Sequence, residues 1–488
     1  MSGHDRRVYL LSPRSLSPET IAVAFAKTSR SPESFDTIAA SLSEESSAQF
    51  HERWVVGYGH ASVAEHAVLH IAMENVSRLA IECVESNRLA SYTEKSTRYQ
   101  TWDRTAFVVP PEVRGTRTEG LFRQTCEHLL DTYQQALEPL KHVAQSAYPR
   151  QEDESEARWD SRIRSRYVDV ARYLLPSAVF ANVGLTLNAR ALEHAIRKML
   201  SHPLREVQEI GEEVRQVAQG EVPTLVRYAQ ASAYLTRLAH PQRPAVAQAA
   251  RAAGPNEVLG PAGGVFLRHA DPASEVRALA AASVRSLGVP YATALHTMES
   301  SPQAAGEAVL SLLGEMGEWD NPPRELEHVT YTAEVIADQG AYFEAKRHRM
   351  LSLTSAPLTC DLGYTTPRWF ALAGQLDSYR RAMTQASQAF EQIAQEDPAV
   401  AAYLVPNGYL RRFLMTLNLR EAFHLCELRA RPNAHFAMRI VALHLAELVR
   451  AVHPRLGGAM RLAGMPTWQT LEEENFVTSQ LHPMPREE

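Results

Sequence analysis

Residues 60–66 read HASVAEH and residues 322–328 read PPRELEH. Each ends in Glu-His and runs into an alternating apolar stretch, AVLHIAME at 67–74 and VTYTAEVIA at 329–337, which reads as a half-buried strand. A second marker follows each strand, RLAS at 88–91 and RMLS at 349–352, and then a third, TLNAR at 186–190 and TLNLR at 416–420. Glu327 follows Glu65 by 262 positions and Arg349 follows Arg88 by 261, whereas Thr416 follows Thr186 by only 230. One copy therefore carries extra helix or loop between the second and third markers. An N-terminal echo, Val8-Tyr9-Leu10 against Val265-Phe266-Leu267, precedes both sets. Four matches in one order read as a tandem duplication.

Helical periodicity dominates the rest of each copy, with single apolar stripes over 117–147 and 189–219. Helices outnumber strands, so each copy is expected to be α+β. Prolines and glycines interrupt the stretch around 238–263. The expected division is a first copy at 1–238, a linker at 239–262 and a second copy at 263–488.

At 488 residues the chain is long enough for two or three domains. Its net charge of −6 gives no basic footprint for nucleic acid. It has no apolar run long enough to span a membrane and no secretory leader at its start, so a cytoplasmic, non-membrane protein is expected. Cys83, Cys126, Cys360 and Cys426 are far apart, with no zinc spacing, so no metal site is expected.

The segment 86–99, SNRLASYTEKSTRY, has two readings. In one it is a turn whose Ser, Thr and Glu cap a solvated helix. In the other Ser96 and Arg98 cradle an anion through a hydroxyl and a guanidinium fork. Arg347-His348-Arg349 is either a solvated basic face or a cluster that requires an anion or carboxylate among its members. Asn188 and Asn418, each opening a helix, are N-caps or pocket residues shared with Arg190 and Arg420.

Together, residues 59–99 resemble the flavin-dependent thymidylate synthases. That family's signature runs from Arg-His-Arg to Ser-x-Arg-Tyr. A Gly-His…Glu-His segment precedes it, and an Arg before Leu-Pro, an Asn-x-Arg and a final Arg follow. The match covers most of both halves, and the departures complement one another. The first half has Ser86-Asn87-Arg88 in place of Arg-His-Arg. It keeps Glu94, Lys95, Ser96, Thr97, Arg98 and Tyr99, then Arg172, Asn188, Arg190 and His194, but has Met199 at the final Arg. The second half keeps Arg347, His348, Arg349, Ser352, Asn418, Arg420, His424 and Arg429. It loses the Ser-x-Arg part and has Ala402 where Arg172 would stand. Two independent decays would damage both sides alike, whereas these survivors add up to one composite set.

The resemblance implies reductive methylation of dUMP to dTMP with FAD as cofactor and NADPH and methylenetetrahydrofolate as co-substrates. It implies Arg429 as the catalytic residue, polarising the base. It implies nucleotide contacts from Glu94, Lys95, Ser96, Thr97, Arg98, Arg172, Glu344 and Arg347. Cofactor contacts would come from His60, Ser62, Glu94, Asn188, Arg190, His194, Arg347, His348, Arg349, Asn418, Arg420 and His424. Since the family is a homotetramer with shared sites, a homodimer of two-copy chains is implied. Glu344 stands where the family usually has Gln, and a carboxylate near a phosphate repels it unless an arginine intervenes. Two other readings stay open: a flavoenzyme acting on another pyrimidine nucleotide, and a non-catalytic nucleotide- or flavin-binding regulator.

Overall fold

The structure is a computed structural model, and it describes residues 9, 11–28, 31–57, 61–239 and 259–477. His60, most of the expected linker, and Val8 and Leu10 of the N-terminal echo lie outside the described residues.

Strand β1 (Val68–Ser77) alternates as its sequence demands: Leu69, Ile71 and Met73 are buried, and Val68 and His70 face out. It breaks register between Met73 and Val76, where Asn75 takes a left-handed φ of 57° and donates its backbone N–H to the Asn182 side chain. Asn is among the few non-glycine residues that visit this region readily, so the bulge falls on a residue that tolerates it. With β2 (Ala90–Glu94) and β3 (Phe180–Asn188) it forms an antiparallel sheet of order β1-β3-β2. The second sheet adds β4 (Gly264–Ala270) to the same arrangement. β5 (Thr330–Asp338), β6 (Ser352–Ser355) and β7 (Leu410–Asn418) follow, in the order β4-β5-β7-β6.

The two sheets repeat residue by residue. Val68 pairs with Asn188 as Thr330 pairs with Asn418, and Ser91 pairs with Thr186 as Ser352 pairs with Thr416. These are the offsets of 262, 261 and 230 in the sequence. After each final strand the asparagine caps a helix. Asn188 Oδ1 accepts from Ala191 N–H and Asn418 Oδ1 from Glu421 N–H, both at 2.9 Å. The arginine two residues on pairs with the glutamate of Glu-His: Arg190 with Glu65, and Arg420 with Glu327. Most of the extra length of the first copy lies in its helices. Glu119–Ala147 and Glu156–Ala171 correspond to the shorter Leu376–Ala394 and Pro398–Ala401.

One expectation is corrected. The stripe over 189–219 is two helices, Ala189–Leu200 and Arg205–Gln219. Pro203 has no N–H to give the preceding turn and disfavours a helical residue before it, so the first helix stops.

The chain forms two compact units. The first comprises residues 1–95, 106–119 and 178–254 and holds the three-stranded sheet. The second comprises 96–105, 120–177 and 255–488 and holds the four-stranded sheet. The second unit thus takes in the Ser96–Thr105 turn and the long helices of the first half. Its core includes Phe122, Leu129 and Tyr133 on the long helix and Phe413, Met415 and Leu417 on β7.

Candidate functional site

Residues from both halves meet inside the second unit. Asp169 sits in the last turn of the helix Glu156–Ala171, and Arg172 follows where the chain tightens into a short 3₁₀ turn. Asp169 Oδ1 lies 2.8 Å from Arg172 Nε and 3.2 Å from Arg98 Nε, so one buried carboxylate holds two arginines together. Neither guanidinium Nε is aligned for a good hydrogen bond with it, so these are ion pairs by distance only. Arg172 Nη1 donates to Thr97 Oγ1 at 3.0 Å, while its Nη2 is buried without a hydrogen-bond partner. Arg98 Nη1 donates to the Asn433 carbonyl at 2.8 Å.

Behind Asp169 stands His435, fully buried at the N-terminal cap position of the helix Phe436–Val452. Its Nδ1 is 2.9 Å from Asp169 Oδ2, and its Nε2 is 3.2 Å from Tyr173 Oη. Tyr173 in turn donates to Asp338 Oδ2 at 2.7 Å. Burial opposes the charge on His435, but Asp169 and the hydrogen bonds around it outweigh burial and raise its pKa. Burial also works against the Asp169 carboxylate, and Arg172, His435 and Arg98 together hold it below the usual carboxylate range. Burial and then Asp338 push the Tyr173 phenol up, so it stays protonated.

Glu344 links this cluster to the second half. It lies near the end of the helix Gln339–Ala345 and is buried. Its Oε1 accepts from His435 N–H at 3.2 Å and lies 3.6 Å from Arg98 Nη1, and its Oε2 is 3.3 Å from Arg429 Nη1. An arginine therefore does stand on each side of this carboxylate. Arg429, at the end of the helix Leu419–Arg429, also donates from Nε to His348 Nε2 at 3.0 Å. His348 Nδ1 is 2.7 Å from Glu421 Oε1. Burial lowers the His348 pKa, leaving a neutral imidazole. Burial likewise lowers the Arg429 pKa, and Arg347 and Arg98 add to that while Glu344 opposes it.

The nucleotide residues expected on the first half divide between the units. Ser96, Thr97, Arg98 and Arg172 join the cluster, with Ser96 Oγ accepting from Arg98 N–H at 3.2 Å. Glu94 and Lys95 belong to the first unit. There Glu94 pairs with Arg78 at 2.6 Å, and the Lys95 backbone N–H bonds the Asn182 carbonyl. Ser62, Arg190 and His194 are also in that unit and exposed, and Asn188 caps its helix there. In the second unit Arg347 and Arg349 are exposed on either side of the buried His348, and His424 stacks edge-on to it at 5.2 Å. Arg420 is taken up by the Pro322 carbonyl and Glu327, and Asn418 by its cap.

In the first unit the corresponding positions have been rebuilt. Met199, equivalent to Arg429, is buried, and the neighbouring Lys198 reaches Ser86 Oγ and Asn87 Oδ1 instead. No group of side chains among the described residues could hold a metal ion. No described helix is long and apolar enough to cross a membrane.

Sequence reasoning missed Asp169, Tyr173, Asp338, Glu421 and His435. Asp169 carried a readable signal, three positions before Arg172 on one helix face. His435 and Tyr173, 262 positions apart, carried none.

The family described as thymidylate synthase complementing protein (Thy1) matches residues 11–224 and again 266–455. The chain belongs to that family. The Thy1 fold is present twice, as two tandem α+β copies. A UPF0159 protein of Chlamydia muridarum is 29% identical over 85% of this chain and 80% of its own length. A UPF0159 protein of Thermoplasma acidophilum is 25% identical over 86% of this chain and 89% of its own. A flavin-dependent thymidylate synthase of Clostridium tetani is 28% identical over 43% of this chain and 82% of its own, so it corresponds to a single copy. Among solved structures, a flavin-dependent thymidylate synthase of Helicobacter pylori, complexed with FAD and dUMP, covers 40% of this chain and 98% of its own at 19% identity and a TM-score of 0.30.

Proposed function

We propose that this Thy1 chain is a flavin-dependent methyltransferase that converts dUMP to dTMP at one composite site per chain. The observation that carries the proposal is the chain of contacts from Arg172 through Asp169 to Arg98, and from Arg98 through Glu344 to Arg429. It joins the surviving motif of the first half to that of the second.

In this reading Arg98 and Arg172, with Ser96 and Thr97, hold the phosphate. A buried guanidinium nitrogen without a partner is costly, and Arg172 Nη2 fits a phosphate oxygen. Arg429 faces the base. Its positive charge favours loss of the ring N–H proton and stabilises the charge that develops there. Glu344 keeps the two arginines apart and oriented, and Arg347 joins the nucleotide side. Arg347 and Arg349, exposed on one turn, suit the anionic pyrophosphate of FAD, while His348 between them faces inward. When bound, FAD passes on reducing equivalents from NADPH while methylenetetrahydrofolate supplies the one-carbon unit. The side chains supply binding, orientation and charge.

The Glu344 carboxylate, where the family usually has Gln, favours a second reading in which the substrate is another pyrimidine nucleotide. Growth rescue of a thymidine-requiring cell that lacks its own synthase tests the first reading. Rescue by the chain and none by Arg429→Ala is the expected result. A yellow, FAD-loaded protein that binds dUMP but does not rescue would turn the argument to the second.

A further inference from the structure

We infer that Glu421 is a positioning residue. It fixes the tautomer of His348, and His348 in turn aims the Arg429 guanidinium. The inference rests on the proposed role of Arg429 at the base.

The direction of the relay follows from its donors. Arginine stays protonated in proteins, so Arg429 Nε always donates. At 3.0 Å from it, His348 Nε2 must present a lone pair. A neutral imidazole with its lone pair on Nε2 carries its proton on Nδ1, and Nδ1 faces Glu421 Oε1 at 2.7 Å. An imidazolium would set two N–H groups against each other at the Arg429 end. Only one protonation pattern satisfies all three side chains: carboxylate, Nδ1–H imidazole, guanidinium. The imidazole and both carboxyl partners of this end, Glu421 and Glu344, are buried. Arg429 is thereby held at two points, Nε by His348 and Nη1 by Glu344. That fixes a long side chain which otherwise has several rotatable bonds.

The first half supplies an internal comparison. At the positions that correspond by the 261 and 230 offsets it has Asn87 for His348, Ala191 for Glu421 and Met199 for Arg429. All three members of the relay are absent there together. A glutamate in the first turn of a helix also suits the helix dipole, but that role needs neither burial nor an imidazole partner.

Two measurements on the FAD-loaded full chain test this. The first is the nitrogen-15 spectrum of protein labelled at histidine, with His348 assigned by difference against His348→Asn. The Nδ1–H tautomer is expected in the native chain and in Glu421→Gln, whose amide oxygen can accept the same proton. It should be lost in Glu421→Ala, where the unheld ring turns away from Arg429 Nε and Nε2 is free to take the proton. A native His348 found as the Nε2–H tautomer or as imidazolium overturns the inference. The second is steady-state turnover. Glu421→Ala should lower kcat about 10- to 100-fold, by analogy with the loss of a partner that orients a metal-binding side chain. KM for the nucleotide should stay within about threefold, because phosphate binding is untouched, and Glu421→Gln should recover most of the loss. Glu421→Ala with native kcat and the native tautomer overturns it as well. A native chain that turns over no pyrimidine nucleotide sinks the proposed function, while the nitrogen spectrum still decides the relay.

Discussion

At Arg172 a buried guanidinium gives Nη1 to Thr97 and sets Nε against Asp169, while Nη2 has no acceptor. The space around that nitrogen depends on Gly340. A Cβ placed there would stand 2.8 Å from Arg172 Nη2 and 2.5 Å from His435 Nε2. Gly340→Ala should therefore push both side chains off their partners and weaken dUMP binding about tenfold or more, the cost of about one charge-assisted hydrogen bond. A titration of the FAD-loaded protein reads this directly, and native affinity would mean that Arg172 does not touch the ligand. His435 gives a prediction in pH. Its folded pKa is raised, so its contribution to stability is complete below about pH 6.5, the ordinary imidazole value, and fades as pH rises through the folded value. Tm should fall over that alkaline interval in the native chain and fall less in His435→Gln. Equal slopes in thermal scans from pH 6 to 9 would show that His435 is not charged in the folded protein.

At the scale of elements, the strands after Glu-His and the helices after Thr-Leu-Asn were legible. Their signals are local: alternation for a sheet with one wet face, and an asparagine that caps. The break at Ser201–Leu204 was equally local, yet the apolar stripe on either side of it concealed Pro203. The buried network was not legible. Asp169 with Tyr173, Asp338 and His435 come from three separate segments, and beyond the Asp169–Arg172 spacing nothing within any of them announces a partner. The same holds for Glu421, which in sequence is only an acid in a first helical turn. The Arg-His-Arg turn supports a prediction at this scale. It is intact after the helix Gln339–Ala345 and degenerate at Ser86-Asn87-Arg88. Arg349→Ala should release FAD, and Arg88→Ala should leave most of it bound, as read from the flavin absorbance after gel filtration. A colourless Arg88→Ala with a yellow Arg349→Ala would assign the flavin to the other copy.

For the whole molecule, duplication changes what each half must keep. A single-copy member of the family repeats every residue in every subunit. A two-copy chain can retire one half of each pair, and in the proposed composite site Met199 and Ala402 are the retired positions. Two chains should then pair into the four-lobed particle the family builds from four, and light scattering should give about twice the 54.3 kDa chain mass. A FAD-loaded particle at the single-chain mass would contradict that. The proposed composite site also makes a prediction about stoichiometry. Calorimetry of dUMP into the FAD-loaded chain should give one nucleotide per chain. Arg98→Ala and Arg429→Ala should each weaken binding by about 1.5–3 kcal/mol, although these residues come from different halves. Two equivalent nucleotides per chain, or an affinity indifferent to Arg98→Ala, would contradict the composite site.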